Sequence, residues 1–272
     1  MTTAESSTTA SAVGGDLLVE RSGEVATLVL NRPDAHNAIK LEMYDALPGL
    51  LADLEADPGV KVVVVRGAGQ KAFASGADIK EFREVRSNAE GARYYNSKVE
   101  AAERALEGLS KPTIAMVHGY CIGGGCGLAL ACDLRFADEK ARFAITPAKL
   151  GLVYSLESTK RLVDLVGPAQ AKWVLMSGQQ LHAQRALQLR LADEVVPTED
   201  LERTTYEFAE LVTTRAQFAV RAVKTIVGRI KLGQAQDDEF TRDLRSSSFD
   251  TEDYAEGVSA FLEKRTPVFR WS

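Results

Sequence analysis

The sequence predicts an α/β fold, with a largely parallel sheet followed by a helical C-terminal part. Three observations carry this. Runs rich in β-branched residues at 60–66 and 113–117 read as buried strands. Segments of helical spacing alternate with the strands, which is the pattern of parallel strands joined by crossover helices. Beyond about residue 156 the pattern turns almost wholly helical. The 272 residues suffice for a full core, and 45% hydrophobic with 26% charged residues places the chain among soluble globular proteins.

The elements follow in order. The start MTTAESSTTASAVG is small and polar, without Lys, Arg or an apolar stretch, so residues 1–15 are expected to be a disordered tail rather than a targeting signal. Leu17–Glu20 and Val25–Leu30 read as strands joined by the turn Arg21–Glu24. Leu41, Tyr44, Leu47, Leu50, Leu51 and Leu54 recur at helical spacing over Leu41–Glu55, which Asp57-Pro58-Gly59 stops. The strand Val60–Arg66, a polar helix Asn88–Leu109 and the strand Thr113–Val117 come next. Gly123–Gly127 then leads into the apolar helix Leu128–Cys132.

Helices are expected over Ser158–Val166, Ala169–Ser177, Ala183–Leu189, Leu201–Gln217, Ala219–Leu232, Asp237–Ser248 and Thr251–Lys264, with one short strand at Glu194–Val196. Residues 16–200 form the sheet-bearing core in this reading and 201–272 the helical C-terminal region.

Composition excludes several functions. The net charge of -5 and the scatter of Lys and Arg argue against nucleic acid. No apolar run reaches the ~18 residues of a membrane helix, so a soluble, cytoplasmic protein is expected. Cys121, Cys126 and Cys132 form no CxxC pair and read as buried thiols, and His36, His118 and His182 offer no ligand spacing, so no metal site is expected.

Two loops have the composition to carry chemistry. Lys71–Lys80 crowds small residues where a strand gives way to a helix, which lets a ligand approach the main chain. An alternative for it is a plain tight turn capped by Asp78. Gly119–Gly127 occupies the equivalent place after the next strand; it does not fit G-x-G-x-x-G, which argues against a dinucleotide site. Paired strand-to-helix loops suit two converging N–H donors, the geometry of an oxyanion hole.

The segments NRPDAHNAI (31–39), AFASGADIKEF (72–82), GYCIGGGCGLALACDLRFA (119–137) and AFLEKRTPVF (260–269) resemble the crotonase (enoyl-CoA hydratase/isomerase) superfamily, from about residue 16 to the C-terminus. The resemblance implies a crotonase, ClpP-like spiral of ββα units with a helical trimerisation region, assembled as a homotrimer or dimer of trimers. It implies an acyl-CoA substrate whose thioester oxygen is held by the N–H groups of Ala77 and Gly124. Coenzyme A would enter as part of the substrate, and no permanently bound cofactor is implied. It also points to the backbone of Lys71, Ala72 and Phe73 for the adenine, and to Phe261 and Lys264, from a neighbouring subunit, for the phosphate end. As plain structure, Lys264 and Arg265 are solvated cations at a helix end.

Hydratases of this superfamily carry two glutamates, and here Gly127 and Pro147 stand in their places. Neither can move a proton. The stretches 143–162 and 250–269 resemble methylmalonyl-CoA decarboxylases of the same superfamily, with Tyr154 at the position of an active-site tyrosine. The expectation is therefore decarboxylation of a malonyl-type thioester, with Tyr154 orienting the carboxylate or relaying the proton. The alternatives are hydration or isomerisation through a non-standard acid such as Glu157, and a non-catalytic acyl-CoA-binding protein. Each residue also has a structural reading: Tyr154 as a packed ring bonded to the main chain, Glu157 as part of a helix N-terminal turn, His118 as a core histidine.

Overall fold

The computed structural model describes residues 7–270. The strands are β1 (Ser7–Ala12), β2 (Leu17–Ser22), β3 (Val25–Leu30), β4 (Val62–Gly67), β5 (Ala72–Ala74), β6 (Thr113–Val117), β7 (Tyr120–Ile122), β8 (Leu134–Asp138), β9 (Arg142–Ala144), β10 (Leu181–His182) and β11 (Glu194–Val196). The helices are α1 (Leu41–Ala56), α2 (Phe82–Val85), α3 (Ala89–Glu107), α4 (Gly124–Ala131), α5 (Leu156–Ser177), α6 (Ala183–Gln188), α7 (Leu201–Thr213), α8 (Gln217–Lys231), α9 (Glu239–Ser247) and α10 (Glu252–Glu263).

Two sheets form. The larger has the order β1-β2-β3-β4-β6-β8-β11 and the smaller β10-β9-β7-β5. From β3 to β11 the larger sheet is parallel, while β1, β2 and β3 pair antiparallel. The chain repeats one step three times: a strand for the large sheet, a short strand for the small sheet, then helix. This is the crotonase spiral, in the units β4–β5–α3, β6–β7–α4 and β8–β9–α5.

The Val62–Val65 run shows why a β-branched string is needed here. Successive side chains of a strand point to opposite faces. Val63 and Val65 enter the main core with α1 and α3, while Val62 and Val64 join a second cluster with Leu201 and Ala209 of α7. Both faces are thus covered.

Three expectations need correction. The tail was expected to be disordered over 1–15. Residues 1–6 lie outside the described residues, but Ser7–Ala12 is a strand that pairs with β2, because the outer edge of β2 otherwise leaves its N–H and C=O groups unpaired. The four strands of the small sheet, and β8, were missed. β5, β7, β9 and β10 have two or three residues each, too short for a period to show. Finally, the apolar helix begins at Gly124 and not at Leu128. Its glycines were read as loop, yet close packing against β5 and α3 makes them helical: a Cβ on Gly125 would meet Ala74 at 2.6 Å.

The helical C-terminal part follows expectation, with α5 carried through Gly167-Pro168 by a local kink. No helix among the described residues is long and apolar enough to cross a membrane.

Candidate active site

The NRPDAHNAI motif builds the first wall. Asn37 is buried, and its Nδ2 donates to the carbonyls of Ala68 (3.0 Å) and Ala72 (2.7 Å), locking the strand-exit loop. Arg32 pairs with Asp78 at 3.0 Å. Ile39 then grips both sides of Ala77: its N–H donates to Gly76 O at 2.8 Å, and its carbonyl accepts from Asp78 N at 2.9 Å. In such a bridge the middle residue's own N–H faces away from its partner. Ala77 N–H is therefore turned from Ile39 and has no acceptor among the described residues.

The second wall is the start of α4. Gly76 and Gly123 have φ of 112° and 54°, conformations that suit glycine, and they let the two loops meet. Gly124 N lies 3.9 Å from where a Cβ of Gly76 would stand, and Ala77 N 3.6 Å from where a Cβ of Gly124 would stand. As the first residue of α4, Gly124 has an N–H without an intrahelical partner, and no other described residue accepts it. Tyr44 Oη packs so closely on Gly124 that any Cβ would collide with it. Ala77 and Gly124 thus carry two neighbouring N–H groups without an acceptor among the described residues, and both residues line one cavity of about 370 Å³. The capped-turn reading also holds, since Asp78 Oδ1 accepts from Lys80 N at 3.2 Å; the cap and the free donor occupy neighbouring residues of one loop.

The same cavity is lined by side chains from α1, α3, the segment just before α5 and the first turn of α5. Tyr154 lines the cavity, and its hydroxyl is buried with no hydrogen-bond partner, as are those of Tyr44 and Tyr95. The main-chain bond of the structural reading is absent. Burial first, and then the Glu103 carboxylate nearby, hold the Tyr154 phenol protonated well above its ordinary range.

Glu103 is the residue that motif reading missed. It sits on α3 at 2% exposure and lines the same cavity. Its Oε2 accepts from Ser158 Oγ (2.6 Å) and from Arg161 Nη1 (2.6 Å), while Oε1 takes no hydrogen bond among the described residues. Burial pushes its carboxyl upward, against the pull of Ser158 and Arg161. The one available signal was a glutamate in the middle of an apolar helix face: Tyr95, Ala102 and Leu106 are buried beside it.

The other predicted residues fall elsewhere. Glu157 is a correction: its side chain is 49% exposed, pairs with Arg104 at 3.1 Å and does not line the cavity. It belongs to the first turn of α5, as its structural reading held, although the cap itself is Ser155, which accepts from Ser158 N. Pro147 stands in the cavity wall, and Gly127 lies beneath Glu103. His118 is a core residue bonded to Asp138 at 3.1 Å. Lys71 is exposed, while Ala72 and Phe73 are buried in β5, so those two offer a ligand only main chain. Phe261 and Lys264 are exposed on and just after α10. Among the described residues no cluster of three metal-binding side chains occurs.

Known proteins resemble this chain along nearly its whole length. The family model described as Enoyl-CoA hydratase/isomerase matches residues 20–271. A short-chain-enoyl-CoA hydratase from Clostridium acetobutylicum is 35% identical over 256 residues, covering 92% of this chain and 95% of the relative. A crotonyl-CoA hydratase from Syntrophomonas wolfei is 32% identical, covering 93% and 97%. An enoyl-CoA hydratase/isomerase family structure from Hyphomonas neptunium superposes with a TM-score of 0.91 at 36% identity, covering 94% of this chain and 98% of that one. The chain belongs to the enoyl-CoA hydratase/isomerase family.

Proposed function

We propose that this family member is an enzyme that polarises an acyl-CoA thioester with the N–H groups of Ala77 and Gly124 and transfers a proton beside the carbonyl, as in isomerisation or hydration of an enoyl-CoA. The observation that carries the reading is the pair of acceptor-less donors on two residues that line one cavity. Enolate formation moves charge onto the thioester oxygen, and each preorganised donor contributes roughly 10²–10³ in rate. Named hydratases among the relatives support the substrate class.

Decarboxylation of a malonyl-type thioester is the second reading, favoured by the unpartnered Tyr154 hydroxyl. Against it stands Glu103: a substrate carboxylate at Tyr154 would lie beside a second buried carboxyl, and like charges disfavour each other. Incubation with crotonyl-CoA, but-3-enoyl-CoA, methylmalonyl-CoA and ethylmalonyl-CoA, each followed by mass analysis, tests the reading. Hydration or double-bond migration is expected. Carbon dioxide release from the malonyl esters alone would replace it with the second reading, and binding without any turnover would leave an acyl-CoA-binding protein.

The proposal extends to assembly. Val223, Ile226, Val227 and Ile230 of α8 and Phe261 and Leu262 of α10 are exposed apolar residues, which supports a homotrimer or dimer of trimers. Such an assembly would bring Phe261 and Lys264 of one subunit toward the coenzyme A of another, beside the Lys71–Phe73 backbone. Light scattering should give a mass of three or six chains; a monomer would sink this part.

A further inference from the structure

We infer that Glu103 is the proton-transfer residue of this site, delivered from α3 into the space that Gly127 leaves open. The inference rests on the acyl-CoA reading above and adds the residue that does the chemistry.

The first observation is a steric exclusion. A Cβ on Gly127 would collide with Glu103 Oε1, and the same point lies 3.4 Å from the Tyr154 hydroxyl. A side chain at 127 and the observed carboxylate position therefore cannot coexist. Gly127 is not merely a missing acid. Its bare Cα is the floor on which an acid from another helix rests.

The second observation is how the carboxylate is held. A purely structural ion pair in a buried setting gains most by bidentate contact. Here Ser158 and Arg161 both bond Oε2, and Arg161 turns its Nε to Glu107 at 2.8 Å instead of to Oε1. Oε1 takes no hydrogen bond among the described residues, and Glu103 lines the same cavity as Ala77 and Gly124. The nearest other carboxylate on the cavity wall, Glu100, is occupied with Arg104 at 3.2 Å. Arg161 and Ser158 are then positioning residues. Burial raises the carboxyl above its ordinary range, nearer to the value that suits a group which must both take and return a proton.

The step balances on but-3-enoyl-CoA. Glu103 Oε1 takes a proton from Cα, and the C–H electron pair becomes the Cα–C1 double bond of a dienolate. The carbonyl pair moves to the thioester oxygen, facing Ala77 N–H and Gly124 N–H. That oxygen pair then re-forms the carbonyl, the Cα–C1 pair shifts to become the Cα–Cβ double bond, and the Cβ–Cγ pair takes the proton back from Glu103 at Cγ. No water, oxidant or second acid enters.

The test uses the full chain with but-3-enoyl-CoA in deuterium oxide, reading turnover, deuterium in the product and crotonyl-CoA binding by calorimetry. Wild type is expected to form crotonyl-CoA. Glu103→Gln should lose at least about 100-fold in kcat, with affinity changed less than about threefold, and should lose the acid limb of the pH–rate profile. Gly127→Ala is the second variant: only the flexible end of Glu103 must move, so the protein folds and binds, but kcat falls at least about tenfold. Wild-type turnover by either folded variant overturns the inference and leaves the acyl-CoA reading standing. Binding by wild type without turnover or deuterium exchange overturns it as well. Failure of wild type to bind any of these thioesters overturns the acyl-CoA reading itself, and the inference with it.

Discussion

The two halves of the cavity are made in different ways. One half is main chain: Ala77, just after β5, and Gly124, the first residue of α4 after β7, hold their N–H groups by local geometry and, for Ala77, by the grip of Ile39. The other half is side chain: Glu103, Ser158 and Arg161 meet across 55 and 58 residues of sequence. A backbone donor is specified by the glycines and small residues around it. A side-chain acid can be brought from any helix that packs against the site. The difference teaches that absence of an acid from its usual loop says little about absence from the site.

The comparison is broken most severely at the main-chain half. Gly124→Ala would drive a Cβ into the Tyr44 hydroxyl and displace the donor. We expect a loss of about 10²–10³ in kcat/KM with the folded state retained, measured on whichever thioester turns over; a loss under tenfold would detach catalysis from that N–H.

The side-chain half should show itself in stability. Glu103→Ala removes one member of a pair whose side chains are 3% and 5% exposed, and such removal typically costs about 3–5 kcal/mol in urea unfolding. The companion prediction is in pH. Because burial raises the Glu103 carboxyl in the folded state, its contribution is fully present below the unfolded pKa and lost as pH rises through the folded one. The stability of wild type relative to Glu103→Gln should therefore fall as pH increases from about 4 toward neutrality. A difference that grew with pH would mean that Arg161 outweighs burial.

Tyr154→Phe sharpens the comparison by separating fold from function. Its hydroxyl is buried and unpartnered, so its removal should leave stability within about 1 kcal/mol. A cut in turnover would then report contact with the substrate. The smallest effect is expected at Glu157→Gln, a half-exposed ion pair outside the cavity: less than about 0.5 kcal/mol, and turnover within about twofold. A large effect there would return Glu157 to the site.

Sequence alone determined the parts whose cause is local. The β-branched runs had to be buried strands and the amphipathic stretches helices; Ala77 and Gly124 were singled out through the resemblance of their motifs to a known family, and both line one cavity. Tertiary structure alone decided the rest. The small sheet pairs strands of two or three residues that no period could reveal. Glu157, close in sequence to Tyr154, points away, whereas Glu103, distant from every motif, rests on Gly127. Helix packing sets which side chains share a cavity, and a residue's number carries no trace of that contact.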